Sequence, residues 1–291
     1  MKINIIMKGI YCLFVVAAVA ALCGCSSSEE SAGPVQKRIL LNASIAKVEE
    51  LESSEAVQSG KEHFTQGDTF TLVVANAERQ YDLFDFTVGT TQLLWKEVTV
   101  AGEDVKVNFS ACYPVQRLAN GKFTFDLGTA SEQDLLLAAP RAVTVDDETP
   151  VNLTFRHAMH RLNVVFTVDA DARVDAETIR TVCTARSKCG VNLLDGSLDT
   201  TDPTTADFTR TGGEVSFLVV PQQASDVTLD VTAGDISKSF TVGSLKPGLG
   251  ELKSGMQLRV EITVKEQTIE IGSITIEGWE DQGSIGGEII I

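Results

Sequence analysis

The side chains that could do chemistry are few and scattered. His157 and His160 stand three positions apart, and His63 is distant from both. A metal site wants three or four ligands meeting at one point, and nothing in the spacing supplies the third and fourth. On an extended strand, positions 157 and 160 face opposite sides, so both histidines read as structural and no metal, cofactor or catalytic residue is assigned. No Gly-x-Ser-x-Gly elbow accompanies the serines, and no glycine-rich loop is present to cradle phosphate. Adjacent carboxylates, Glu49-Glu50 and Asp146-Asp147, lie in polar stretches where water keeps them ionised. These absences point to a chain that is not an enzyme.

The cysteines carry more information. Lys2 and Lys8 precede an uncharged apolar stretch, 9–22, that is too short to cross a hydrocarbon core of about 30 Å as a helix. Together they read as a signal peptide. It ends in Leu22-Cys23-Gly24-Cys25, which resembles a bacterial lipobox. That resemblance implies that residues 1–24 are removed and that the Cys25 thiol is diacylglycerylated, anchoring the new N-terminus in a membrane. Stable anchoring takes more than one acyl chain. Residues 25–37 then form a small, polar, acidic tether. Beyond the tether only Cys112, Cys183 and Cys189 remain, an odd number that cannot all pair. Cys183 and Cys189 could close a small disulfide loop, and the alternative is three small buried residues. Their spacing does not suit a zinc knuckle.

These residues must be held by something large enough to fold. The chain has 291 residues, which at roughly 150 per domain suggests two domains. Lys plus Arg is 24 against 40 for Asp plus Glu, a net charge of −16 that argues against nucleic acid as a partner. Hydrophobic residues make up 43% of the chain, enough for a core. Period-2 alternation dominates after the tether. Strands are expected over 39–46, 68–75, 81–88, 92–100, 104–112, 122–127 and 135–138, with 142–150 as a linker or turn. A second series follows over 151–155, 162–168, 215–220, 227–232, 237–242, 257–264 and 268–276. The one candidate helix, 176–186, is weak. Parallel sheets need crossovers, usually helical, so the expectation is all-β, two antiparallel sandwiches over 38–148 and 149–291.

Several landmarks recur in a definite order: Phe64-x-x-Gly67-Asp68 before an apolar strand; Tyr113-Pro114; Asp134-Leu135-Leu136-Leu137-Ala138; Val151-x-Leu153-x-Phe155-x-His157-x-Met159-x-x-Leu162; and Ile274-Thr275-Ile276-x-x-Trp279. With the lipobox, this order resembles the fimbrillin-like lipoproteins of Bacteroidetes, the subunits and accessory proteins of type V fimbriae. The resemblance implies two tandem transthyretin-like β-sandwiches and a precursor lipid-anchored in the outer membrane at the cell surface. It also implies partners: other fimbrial subunits as strand donor or acceptor, and a host or bacterial surface ligand in adhesion. In that family an Arg-specific or trypsin-like protease frees a groove for a donated strand. Candidate processing points here are Arg38, which precedes the first strand, and Lys47 or Lys61, which follow it. Residues 284–291 (SIGGEIII) read as a final core strand or a donor segment. The rival reading is a surface glycan-binding lipoprotein. Only Trp95, Trp279, Tyr81 and Tyr113 could offer it aromatic platforms.

Overall fold

The computed structural model describes residues 37–46, 61–131, 133–266 and 268–278. Cys25, Lys47, Trp279 and 284–291 lie outside them. In chain order the first strands are β1 (Arg38–Ile39), β2 (Leu41–Ile45), β3 (Thr69–Ala75), β4 (Tyr81–Thr87), β5 (Leu93–Leu94), β6 (Lys106–Tyr113), β7 (Lys122–Asp126), β8 (Leu136–Thr144) and β9 (Val151–His157). There follow β10 (His160–Val168), β11 (Arg180–Arg186), β12 (Lys188–Asn192), β13 (Ser197–Asp199), β14 (Thr205–Thr211) and β15 (Glu214–Val219). The last are β16 (Gln222–Gln223), β17 (Thr228–Ala233), β18 (Ile236–Thr241), β19 (Glu251–Leu252), β20 (Met256–Val264) and β21 (Ile269–Gly278). The fold is all-β, as the alternation requires.

A six-stranded sheet runs in the order β2-β9-β8-β6-β3-β4. Two four-stranded sheets, β15-β10-β20-β21 and β14-β11-β17-β18, and the three-stranded β13-β12-β7 make up most of the rest. In β9, Val151, Leu153, Phe155 and His157 are buried while the residues between them are exposed, the signature of a strand with one wet face. β3 lacks that alternation because both of its faces are covered. Phe70, Leu72 and Val74 enter one core with Phe109 and Phe155. Val73 and Ala75 enter the other with Leu162, Phe217 and Val260. A run buried on both faces reads as continuously apolar.

The structure departs from the expected elements in several places. Residues 176–186 are not a helix but a short 3-10 turn, Ala176–Thr178, and the strand β11. β-Branched Thr181, Val182 and Thr184 favour extension, and Thr181, Cys183 and Ala185 alternate inward. Residues 92–100 form only the two-residue β5 before two 3-10 turns. The supposed linker at 142 is strand as far as Thr144, paired with Lys106. β12, β13 and β14 were not anticipated. Three of the seven residues of β14 are Thr, and only Phe208 is buried. Two parallel pairs, β2 with β9 and β10 with β20, are present, and other strands occupy much of the long connections between them. β9 was expected to open the second domain but completes the six-stranded sheet, whereas the earlier β7 pairs with β12.

Candidate functional site

The first strand pair occupies an edge. β2 lies parallel to β9 with Leu41 opposite Val151 and Ile45 opposite Phe155. Main-chain bonds mark both ends: Val151 N donates to Leu40 O at 2.7 Å, and Ala46 N donates to Phe155 O at 2.9 Å. Ile39 and Ile45 are buried, with Leu41 and Ala43 partly covered between them, and all four join the core of the six-stranded sheet. Arg38, Leu40, Asn42 and Ser44 face outward. The period-2 pattern of 39–45 thus directs one apolar side chain inward at every second position.

The wall behind this strand is aromatic. Phe155 contacts Phe64 at a ring separation of 4.8 Å and Phe70 at 5.1 Å, both edge-on. Phe64 also meets Tyr113 edge-on at 5.7 Å. Three of the sequence landmarks therefore meet behind the strand. Gly67 makes the turn into β3 possible, since its φ of +94° strains any residue with a Cβ. Across from β2 runs β4, the other edge of the same sheet. An open cleft of about 330 Å³ separates them, lined by Ile39, Leu41 and Ala43 on one side and Phe86, Val88 and Leu93 on the other.

One end of the cleft is tied shut. Ile39 pairs with Leu93 and Arg38 with Leu94, and Trp95 N donates to Lys37 O at 3.0 Å. Buried Trp95 donates its ring N–H to Asp147 O at 3.3 Å, while Lys37 Nζ donates to Asp146 O at 3.1 Å.

The three candidate processing residues are placed differently. Arg38 is exposed at the tied end of the strand. Lys61 is engaged: its Nζ bonds Asp68 at 2.9 Å and lies 5.1 Å from the Tyr113 ring centroid. Burial would raise the Asp68 carboxyl, but the Thr65 amide and Lys61 outweigh it and hold the group below its ordinary value. Lys47 lies outside the described residues.

Among the described residues the cysteines offer no reactive thiol. Cys112, Cys183 and Cys189 are free and buried, and burial pushes each up to about 12. Of the two alternatives for Cys183 and Cys189, a small disulfide loop or separate buried thiols, the structure holds them as separate buried thiols. Cys183 sits opposite Phe208 and Leu229, and Cys189 opposite Phe125 in a different sheet.

The histidines sit where the chain leaves the six-stranded sheet. His157 Nδ1 bonds Asp134 Oδ2 at 2.5 Å, with both side chains almost fully buried. Burial raises the Asp134 carboxyl, against the pull of His157 and Arg161. His160 Nδ1 donates to Lys253 O at 3.0 Å, and burial lowers its ring to about 4. Among the described residues no group of three His, Cys, Asp or Glu side chains could hold a metal ion. Asp134 was legible as a landmark but not as the partner of His157, which only the fold brings within reach.

A family model described as fimbrillin-like matches residues 60–279, about three quarters of the sequence. The chain belongs to the fimbrillin-like family. The N-terminal strand of this fimbrillin-like protein precedes the matched region. Among solved structures it is similar to a candidate cell adhesion protein from Bacteroides uniformis, with a TM-score of 0.62 at 18% identity, covering 83% of this chain and 98% of that one. A candidate cell adhesion protein from Bacteroides ovatus gives 0.56 at 17% identity, over 84% and 98% of the two chains. Another from Parabacteroides distasonis gives 0.51 at 12% identity, over 86% and 98%. At such identities the likeness concerns the fold. A search of curated proteins finds no match.

Proposed function

We propose that this protein is a subunit of a cell-surface fimbria that contributes to adhesion and assembles by β-strand exchange. Its precursor is held in the outer membrane by acyl chains on Cys25. The observation that carries the reading is the strand at 38–45. It lies at a sheet edge and places Ile39, Leu41, Ala43 and Ile45 in a groove backed by Val151, Leu153 and Phe155. A fully buried aliphatic side chain contributes about 1.5–3 kcal/mol, so a groove emptied of this strand would bind another extended segment of like alternation. Main-chain bonds along the edge would give affinity, and the side-chain positions specificity. Membership of the fimbrillin-like family and the adhesion proteins among the structural neighbours support the same reading.

Processing decides which groove is presented. A cut after Arg38 removes lipid and tether and leaves β2 in place. A cut after Lys47 releases the strand as well. Lys61 is the poorer protease site because its ammonium is already bonded to Asp68 and packed over Tyr113.

The test is treatment of the full-length chain with a Lys- or Arg-specific protease, followed by N-terminal sequencing and size analysis. Loss of residues 38–46 should be accompanied by concentration-dependent, slowly dissociating polymers. A cleaved chain that loses the strand and stays monomeric would overturn strand exchange. Cys25→Ser should abolish membrane attachment, and unchanged attachment would remove the lipid anchor from the proposal.

A further inference from the structure

The resident N-terminal strand fills its groove unevenly. Ile39 and Ile45, towards its two ends, are 6% and 7% exposed, whereas Leu41 and Ala43 between them are only partly covered. The wall behind them is complete, since Val151, Leu153 and Phe155 of β9 are at most 2% exposed. The shortfall therefore lies in the strand and not in the wall. Ala43 stands opposite Leu153, and it is the one inward position of 39–45 without a large aliphatic side chain.

The open cleft lies beside that position. Leu41 and Ala43 form part of one side, and Phe86 and the half-buried Val88 part of the other. Among the described residues that line it, Arg38 is the one charged side chain, and it stands at the tied end. The remaining space therefore suits a hydrocarbon side chain. The main chain is already seated, because Leu40 O accepts from Val151 N and Ala46 N donates to Phe155 O. The strand is thus in register with β9 but underfilled at its centre, where a gap forfeits the contacts that close packing supplies.

We propose that the groove prefers a donated strand with a branched aliphatic residue where Ala43 now stands, and that the resident strand is a placeholder such a donor displaces. This rests on the strand-exchange reading and names the partner it selects. That partner is an extended segment of another subunit, running parallel to β9 as β2 does, with a large aliphatic side chain at each inward position. Resident and donor make the same main-chain bonds, so those bonds give the exchange no direction. The side chain at position 43 does. Each further buried methylene tightens an apolar contact about fourfold. Valine in place of alanine, covered in part by the cleft, therefore favours the donor by about tenfold.

Two measurements test this. In the full-length chain, Ala43→Val should slow hydrogen exchange of the Ala46 amide, which bonds Phe155 O, by about tenfold, because a filled cleft makes local opening rarer. Ser44→Val puts the same strand-favouring side chain on the outward face and should leave that rate within about twofold. Equal rates in the Ala43→Val and parent chains would overturn the preference, whether or not strands are exchanged. For the second measurement, the full-length chain is nicked with a Lys-specific protease and offered synthetic peptides of 38–46. One has the resident sequence, one carries Ala43→Val and one Ser44→Val. The Ala43→Val peptide should be retained about ten times longer than the other two. Equal retention of all three would overturn the preference and leave strand exchange standing, whereas retention of none would overturn both.

Discussion

Asp134 and His157 bond through Oδ2 and Nδ1 at 2.5 Å, immediately before β8 and at the end of β9. Ala158 N donates to Leu135 O at 2.8 Å beside them, and two residues further on the chain begins β10 in a different sheet. The pair therefore fixes the point at which the six-stranded sheet hands the chain over. Phe155, which backs the N-terminal strand, is only two residues away on the same strand.

Asp134→Ala removes the carboxylate that the buried His157 ring bonds, and should lower the unfolding free energy by about 3 kcal/mol. Asp134→Asn retains an acceptor oxygen and should cost less. Urea unfolding followed by the fluorescence of buried Trp95 reads both. A loss below about 1 kcal/mol for the alanine variant would show that the pair is not a structural tie.

His160 should make the protein acid-sensitive. Its ring is lowered to about 4 by burial, from an ordinary value of 6.5. The unfolded chain therefore takes up a proton below pH 6.5 that the folded chain resists, and stability falls as pH drops from 6.5 towards 4. At pH 4.5 this amounts to about 2–3 kcal/mol. His160→Asn offers a non-titrating donor to the Lys253 carbonyl. The difference in stability between pH 7 and pH 4.5 should shrink by about that amount in the variant, and an unchanged difference would assign acid sensitivity to other groups.

The N-terminal strand should be held by its inward isoleucines. Ile45→Asp places a carboxylate at a position 7% exposed opposite Phe155. The strand should detach, and trypsin should cut at Lys37, Arg38 and Lys47 about tenfold faster or more. Ser44→Asp, on the outward face beside it, should leave the rate nearly unchanged. Cleavage mapped by mass spectrometry distinguishes the two, and equal rates would mean that inward packing does not hold the strand.

Much of the fold was legible because burial on one face imprints alternation. Val151, Leu153, Phe155 and His157 announce β9, and Leu258, Val260 and Ile262 announce β20. Which sheet a strand joins is a different matter. The alternation of β9 is the same whether it pairs with β8 and β2 or opens a new sandwich, so its place depends on contacts distant in sequence. β11 departs from its local propensity for a related reason: Ala176, Glu177 and Ala185 favour a helix locally, and burial of Cys183 between β14 and β17 overrides them. The edge strand was visible in the Ile39 run. The opposing wall of Phe86 and Leu93 was not, since nothing local relates residues some fifty positions apart.

Thiol accessibility tests the interior directly. Cys112, Cys183 and Cys189 are each buried with a thiol pushed up to about 12, and the thiolate is the species that reacts. In a Cys25→Ser background, a chain beginning at residue 25 should take up no maleimide while folded at pH 8, and should take up one equivalent at each of these cysteines in concentrated urea. A disulfide between Cys183 and Cys189 would instead leave only Cys112 to label under denaturing, non-reducing conditions. The two states differ by two hydrogen masses in the intact protein. Labelling of Cys112 alone would require β11 and β12 to move from the register in which Cys183 faces Leu229 and Cys189 faces Phe125, whereas labelling of all three fits their separate buried positions.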